Sequence, residues 1–154
     1  MKKLATILFL ALLFAGVNSN VNAQQVFTKG SSLVNIGIGG VDGFGINGSY
    51  DYGVFDPGVG TISLGGYASV VFDDSKTGLG IGARTTYRYH FNNTPFEVYG
   101  ATMLGFRVRD SKTRFLGTAL AGGRYMFNDR ISIWTEMGWA ESSTAINFGV
   151  AFAF

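Results

Sequence analysis

The chain has 154 residues, of which 47% are hydrophobic, 15% aromatic and 14% charged, and it contains no cysteine. This length fits a single domain, and the absence of cysteine excludes disulfides, thiolate metal sites and cysteine nucleophiles. The formal net charge is +2, and two lysines near the start supply all of it. The remainder is therefore neutral, which argues against nucleic-acid binding.

Residues 1–23 are predicted to be a cleaved signal peptide. Two lysines precede a run of 14 apolar residues, 4–17, and a short polar stretch then ends in Val-Asn-Ala. Such a run is too short to cross ~30 Å of hydrocarbon as a helix, whereas it is typical of a secretion signal. We expect cleavage after Ala23, which leaves residues 24–154 as one secreted domain.

Segments of alternating apolar and small or polar residues follow the leader. A period of two predicts β-strands with two unlike faces, and segments of about ten residues are the length at which a tilted strand crosses a bilayer. The predicted strands are 34–39, 44–53, 61–72, 79–91, 96–109, 115–127, 131–139 and 145–154. The turns at 40–42, 73–77, 110–113 and 141–143 are predicted to span three to five residues each.

The last segment alternates large apolar residues with small or polar ones and ends on an aromatic residue. It resembles the C-terminal strand of bacterial outer-membrane β-barrels, in which a terminal Phe is read by the barrel-assembly machinery. The resemblance implies that this machinery is a partner of the chain. It also implies an assembly signal formed by Phe148, Phe152 and Phe154.

Two observations predict that the apolar face points outward. The opposite face carries Gly, Ala, Ser, Thr, Asn and a few Arg, whereas the exterior of a soluble barrel or sandwich is rich in Lys and Glu. Aromatic residues also collect at the two ends of the apolar face, as they do at the two interfaces of a membrane. One predicted girdle comprises Tyr50, Tyr52, Tyr87, Tyr89, Phe91, Phe96, Tyr125, Phe127, Phe152 and Phe154, and the other comprises Phe44, Phe72, Phe106, Phe115 and Trp139.

With this pattern, residues 24–154 look like the small eight-stranded outer-membrane barrels, the group of the OmpA transmembrane domain and OmpX. The resemblance implies an all-β, eight-stranded antiparallel up-and-down transmembrane β-barrel, located in the outer membrane with its lipids as partners. The peptidoglycan-binding domain of full OmpA proteins is not expected after Phe154. Short outer turns argue against a receptor role, because such contacts usually lie on loops. The pattern does not indicate an oligomeric state.

Charged residues on the inward face are predicted to form a network in the lumen. A four-residue turn at 92–95 sets His90 opposite Glu97 and Tyr87 opposite Gly100. A three-residue turn at 128–130 sets Arg124 diagonal to Glu136, and we expect these two to pair. Asp51 is also predicted to point inward. The predicted network comprises Arg84, Arg88, His90, Glu97, Arg124 and Glu136.

The interpretation that we favour is a structural barrel that supports envelope integrity, with a side-chain-filled lumen and no catalytic activity, cofactor or metal site. Eight strands enclose an interior just wide enough for side chains. A very small pore for ions or small solutes is an alternative. A lipid-modifying enzyme is another, but it needs a base beside a nucleophile that lipid can reach. His90, the one histidine, is predicted to point inward beside Glu97.

Overall fold

The computed structural model describes residues 27–41, 44–73, 76–92, 94–140 and 143–154. The predicted signal peptide lies outside these residues. The described part contains strands β1 (Ser32–Val41), β2 (Phe44–Phe55), β3 (Thr61–Asp73), β4 (Lys76–His90), β5 (Phe96–Arg109), β6 (Lys112–Met126), β7 (Ile131–Ala140) and β8 (Ser143–Ala153).

The strands form a closed barrel in which each strand pairs with the next and β8 pairs with β1. All neighbouring pairs are antiparallel. The predicted eight-stranded up-and-down barrel is therefore confirmed. Within the described ranges, no helix is long and apolar enough to cross a membrane.

The apolar face of every strand points out of the barrel. Ile81 is 68% exposed and Leu104 is 58% exposed, whereas the carboxylate residue Asp51 is fully buried. This is the reverse of a water-soluble barrel, and it matches an exterior that contacts lipid. The aromatic residues of the second predicted girdle are 51–72% exposed: Phe44, Phe72, Phe106, Phe115 and Trp139.

We call the end of the barrel that carries this girdle the upper end, and the end that carries Phe154 the lower end. Strands that are joined at the upper end are separated by only two residues, so the upper turns are shorter than predicted. In the β5–β6 turn these are Asp110 and Ser111, with φ of 51° and 60°, as a two-residue type I′ turn requires. The prediction of three to five residues was wrong because threonines such as Thr113 favour strands and extend the pairing between neighbouring strands toward the turn.

The predicted registers across two lower turns are confirmed. His90 lies opposite Glu97, and Tyr87 lies opposite Gly100. Arg124 lies opposite Trp134, two positions from Glu136, as the three-residue turn requires.

Bulky side chains of one wall of the lumen pack against glycines of the other. The indole of Trp134 is 5% exposed, and its Nε1 donates a hydrogen bond to the Val150 carbonyl at 3.1 Å. A Cβ atom added at Gly37 would lie 2.6 Å from Cζ2 of Trp134 and 2.5 Å from the Phe148 carbonyl oxygen. Glycine at this position therefore leaves the space that the indole fills.

We expect Gly37→Ala to lower the stability of the barrel by about 1–3 kcal/mol, because the added methyl group overlaps both the indole of Trp134 and the Phe148 carbonyl oxygen. The matched control is Gly48→Ala, where a Cβ atom would meet only the Asn35 carbonyl oxygen, at 3.4 Å. The urea concentration at half-unfolding in detergent measures both. Equal midpoints for the two variants would contradict the packing argument.

Candidate functional site

A group of ionised side chains occupies the middle and lower parts of the lumen. Each member stands at an inward position of its strand and is at most 4% exposed. The group holds three guanidinium groups and three carboxylates, so its formal charge is zero. We call it the lumen network, and its members are Asp51 on β2, Arg84 and Arg88 on β4, Glu97 on β5, Arg124 on β6 and Glu136 on β7.

Arg88 and Glu97 connect the lower half of the lumen network. Nη2 of Arg88 lies 2.6 Å from Oδ2 of Asp51, and its Nη1 lies 2.9 Å from Oε1 of Glu97. The other Glu97 oxygen accepts a hydrogen bond from Nη2 of Arg124 at 2.7 Å. Each of the two central residues thus bridges two partners of opposite charge.

Arg84 connects the upper half. Its Nη1 donates to Oε2 of Glu136 at 3.3 Å, its Nη2 pairs with Oε1, and its Nε lies 3.3 Å from Oδ1 of Asp51. The Tyr99 hydroxyl donates a hydrogen bond to Glu136 at 3.0 Å, and the centroid of the Tyr99 ring lies 4.8 Å from the guanidinium carbon of Arg88. The network is therefore one continuous chain of charges from Glu136 to Arg124.

The predicted pairing of Arg124 with Glu136 was wrong, although their register was predicted correctly. Arg124 lies directly opposite Glu97 across β5–β6, a register that the sequence analysis did not assign. Glu136 is instead bound by Arg84 and Tyr99. Directly opposite side chains on one face are closer than diagonal ones, so the opposite partner forms the pair.

His90 lies near the lower mouth and is partly exposed. It stands opposite Glu97, but the oxygens of Glu97 accept hydrogen bonds from Arg88 and Arg124. Nδ1 of His90 is buried without a hydrogen-bond partner. Among the described residues, no group of three or more His, Asp or Glu could hold a metal ion.

Phe27, which the sequence analysis did not single out, closes the lower end of the lumen. It is 4% exposed, and its ring centroid lies 4.8 Å from the guanidinium carbon of Arg88 and 5.9 Å from that of Arg124. Its carbonyl accepts a hydrogen bond from Oγ1 of Thr61 at 2.9 Å. Because Phe27 precedes the alternating segments, no periodicity could have indicated its position.

The spaces that remain in the lumen are small. A cavity of about 40 Å³ adjoins the upper members of the lumen network, Arg84 and Glu136, and is also lined by Tyr67, Met103 and Trp134. A cavity of about 10 Å³ lies near Phe27 at the lower end. The upper cavity has room for roughly three water molecules and the lower one for about one.

The three aromatic residues of the predicted assembly signal point outward. Phe148 is 46% exposed, Phe152 37% and Phe154 76%. The backbone of Phe154 exchanges two hydrogen bonds with Ser32, at 2.9 and 3.2 Å, so the last residue is still joined to β1. This placement leaves the rings accessible from the lipid side, and their role in assembly stays a prediction.

Comparison with solved structures shows the same fold in proteins of low identity. The chain is similar to the N-terminal β-barrel domain of Pseudomonas aeruginosa OprF, with a TM-score of 0.67 and 14% identity over 82% of this chain and 98% of that one. It is also similar to a de novo designed transmembrane β-barrel, with a TM-score of 0.60 and 19% identity over 86% of this chain and 100% of that one. No family model and no curated protein matches the chain. The likeness to the small eight-stranded outer-membrane barrels is thereby confirmed at the level of the fold.

We expect Glu136→Leu to lower the stability of the barrel by about 3–5 kcal/mol, because Arg84 then keeps a buried charge that Asp51 alone must balance. Adding Arg84→Met should restore much of this loss, since Asp51 retains Arg88 as a partner. The urea midpoint in detergent measures each single variant and the double variant. Strictly additive losses would contradict the pairing.

Proposed function

We propose that this protein is an integral outer-membrane barrel whose role is structural, supporting the integrity of the envelope rather than transporting solutes. In this proposal, the signal peptide is removed after Ala23 and residues 24–154 reach the outer membrane. The barrel-assembly machinery then recognises Phe148, Phe152 and Phe154. The apolar exterior, the likeness to the OprF barrel domain and the outward direction of these rings support the proposal.

The filled lumen is the observation on which a structural role depends most. The ions of the lumen network are at most 4% exposed and hold one another by direct ion pairs. Phe27 covers the lower end of this network. A solute would have to break several buried ion pairs to pass, and separating buried partners is costly.

A very small pore is the second candidate, and the upper cavity favours it. This cavity reaches Arg84 and Glu136, so a polar region extends from the upper half of the lumen to the network. A rearrangement of the ion pairs would be needed to join it to the lower cavity. A lipid-modifying activity has no comparable support, because His90 stands on the inward side of its strand, opposite the buried Glu97.

Planar-bilayer recordings test the filled lumen. We expect wild-type conductance near baseline, and we expect Phe27→Ala to leave it there, because the lumen network remains in place. The same variant should lose about 3–5 kcal/mol of stability, as other buried Phe→Ala changes do. Steady, ion-selective conductance of the wild type would contradict the filled lumen and favour the very small pore instead.

Cell fractionation tests the location and the assembly signal together. We expect the protein in the outer-membrane fraction, resistant to extraction by high salt and migrating faster on gels unboiled than boiled. Deletion of Phe154 should reduce the amount of inserted barrel and increase its degradation in the periplasm. The control is Phe106→Leu, which changes an outward aromatic residue at the upper end. Normal insertion without both Phe152 and Phe154 would contradict the predicted signal.

Envelope integrity itself is tested by deleting the gene. We expect the deletion strain to become more sensitive to detergents and to large hydrophobic antibiotics, and we expect plasmid-borne wild type to restore resistance. The double variant Arg84→Met with Glu136→Leu should also restore it, because a structural role needs the barrel and not a particular ion pair. Unchanged sensitivity of the deletion strain would contradict the structural role.

A further inference from the structure

Residues 27–29 precede the first strand and lie across the lower end of the lumen. We call these three residues the lid. The ring of Phe27 is 4% exposed and lies over the guanidinium groups of Arg88 and Arg124. Phe27 and Arg124 also line the lower cavity together. The lid therefore covers the lower half of the lumen network on the side that faces the lower solvent.

The lid is fastened to the lower ends of β2 and β3 through one carboxylate. The backbone N–H of Lys29 donates to both carboxylate oxygens of Asp56, at 3.1 Å each. Oγ1 of Thr61 lies 2.7 Å from Oδ1 of Asp56 and 2.9 Å from the carbonyl oxygen of Phe27. Asp56 thus binds the lid directly and also contacts the hydroxyl that holds the Phe27 backbone. Hydrogen bonds to a charged group are stronger than those between neutral groups.

A glycine joins the lid to the barrel. Gly30 has a φ of 91°, which glycine adopts readily and other residues rarely do. Its N–H donates to the Gly53 carbonyl at 2.8 Å. Two residues later, the backbone of Ser32 exchanges hydrogen bonds with Phe154 at 2.9 and 3.2 Å. The chain is therefore fixed on the β1 side of Gly30, and rotation at Gly30 moves the lid without disturbing the pairing of β1.

The lid rests on a strand position that has no side chain. A Cβ atom added at Gly53 of β2 would lie 2.2 Å from the carbonyl oxygen of Thr28 and 3.2 Å from Cα of Lys29. The three nearest atoms to this position all belong to the lid. Glycine at position 53 therefore leaves the space that the closed lid occupies, and a methyl group there would push the lid away from the mouth.

Opening the lid requires far less than unfolding the barrel. It breaks the hydrogen bonds at Asp56 and uncovers the ring of Phe27, while the strand pairing stays intact. Segments held by few contacts open locally, with free energies below that of global unfolding. With the lid open, water reaches Arg88 and Arg124 from below. Both guanidinium groups still bind Glu97, so the lumen stays blocked to solutes.

We propose that residues 27–29 form a lid that opens about Gly30, that Asp56 is its latch, and that the lid controls the entry of water to the lower half of the lumen network. The upper half of the network lies beyond the bridging ion pairs and is not affected. The lid goes beyond the structural role and does not depend on it, because it changes hydration of the lumen and not the integrity of the barrel.

The latch is tested by measuring the exchange of guanidinium protons with water, by nitrogen-15 NMR on the barrel in detergent. We expect Asp56→Ala to speed exchange at Arg88 and Arg124 about tenfold, the effect of losing one hydrogen bond to a charged group. Exchange at Arg84, in the upper half of the network, should stay at the wild-type rate. The urea midpoint should also stay close to that of wild type, since the strands remain paired.

The control for the latch is Thr94→Ala. It removes a hydrogen bond to the Phe91 carbonyl in another lower turn, and it should exchange like wild type. A second variant, Gly53→Ala, displaces the lid while Asp56 is retained, and it should speed exchange at the same two arginines. Its matched control is Gly48→Ala, where an added Cβ atom meets only the Asn35 carbonyl oxygen, at 3.4 Å.

Heat-modifiable migration on gels checks that each variant folds, and Gly53→Ala serves if Asp56→Ala does not fold. Faster exchange confined to Arg88 and Arg124 in either folded variant supports the lid. Wild-type exchange rates in both variants overturn the proposal. Equal acceleration at Arg84 and at the backbone amides of the strands also overturns it, because the whole barrel would then be opening.

Discussion

The structure depends on the mutual neutralisation of ionised side chains inside a narrow barrel. Removing a single ion from water costs several kcal/mol, and only a partner of opposite charge with good geometry returns that cost. The lumen network meets this condition because Asp51, Arg88 and Glu97 each contact two ions of opposite charge. Its members come from strands β2, β4, β5, β6 and β7, so the relative registers of these strands must all be correct for the pairs to form.

The exterior explains why the interior is polar. A strand that faces lipid on one side places its alternate residues in the lumen, where an eight-stranded barrel has little room for water. This chain fills the space in two ways. Beside Gly37, the indole of Trp134 fills the space that a side chain at this position would take. Around Glu97, the guanidinium groups of Arg88 and Arg124 fill the lumen. Among the described residues, the filled middle leaves a small cavity near each end of the barrel.

Much of the fold could be predicted from the sequence, because a period of two fixes which face each side chain takes. The length of a turn then fixes a register, as it did for His90 opposite Glu97 and Arg124 opposite Trp134. The ion pairs could not be predicted as well, because a side chain in the lumen reaches partners on several strands. Two carboxylates, those of Glu97 and Glu136, were close enough to be partners of Arg124. Only the β5–β6 pairing shows that Glu97 is its partner.

Other features have no signal in the alternating pattern. Phe27 lies before the first strand, and its place over Arg88 and Arg124 follows from the path of the chain across the lower end. Hydrogen bonds from the Lys29 backbone and from Thr61 to Asp56 hold that path. The upper turns were predicted too long because polar residues at the end of a strand resemble loop residues in sequence. Outside the membrane, however, polar residues can extend the pairing of two strands equally well.

The most direct test of the buried network is the rate at which guanidinium protons exchange with water, measured by nitrogen-15 NMR on the barrel in detergent. If the lumen is closed and the ion pairs are formed, the Nη protons of Arg84, Arg88 and Arg124 exchange slowly and give separate, persistent signals. Those of Arg114 and Arg130, which are exposed, exchange rapidly in the same sample. Equally rapid exchange at all five arginines would show that water reaches the middle of the barrel, and would contradict the account.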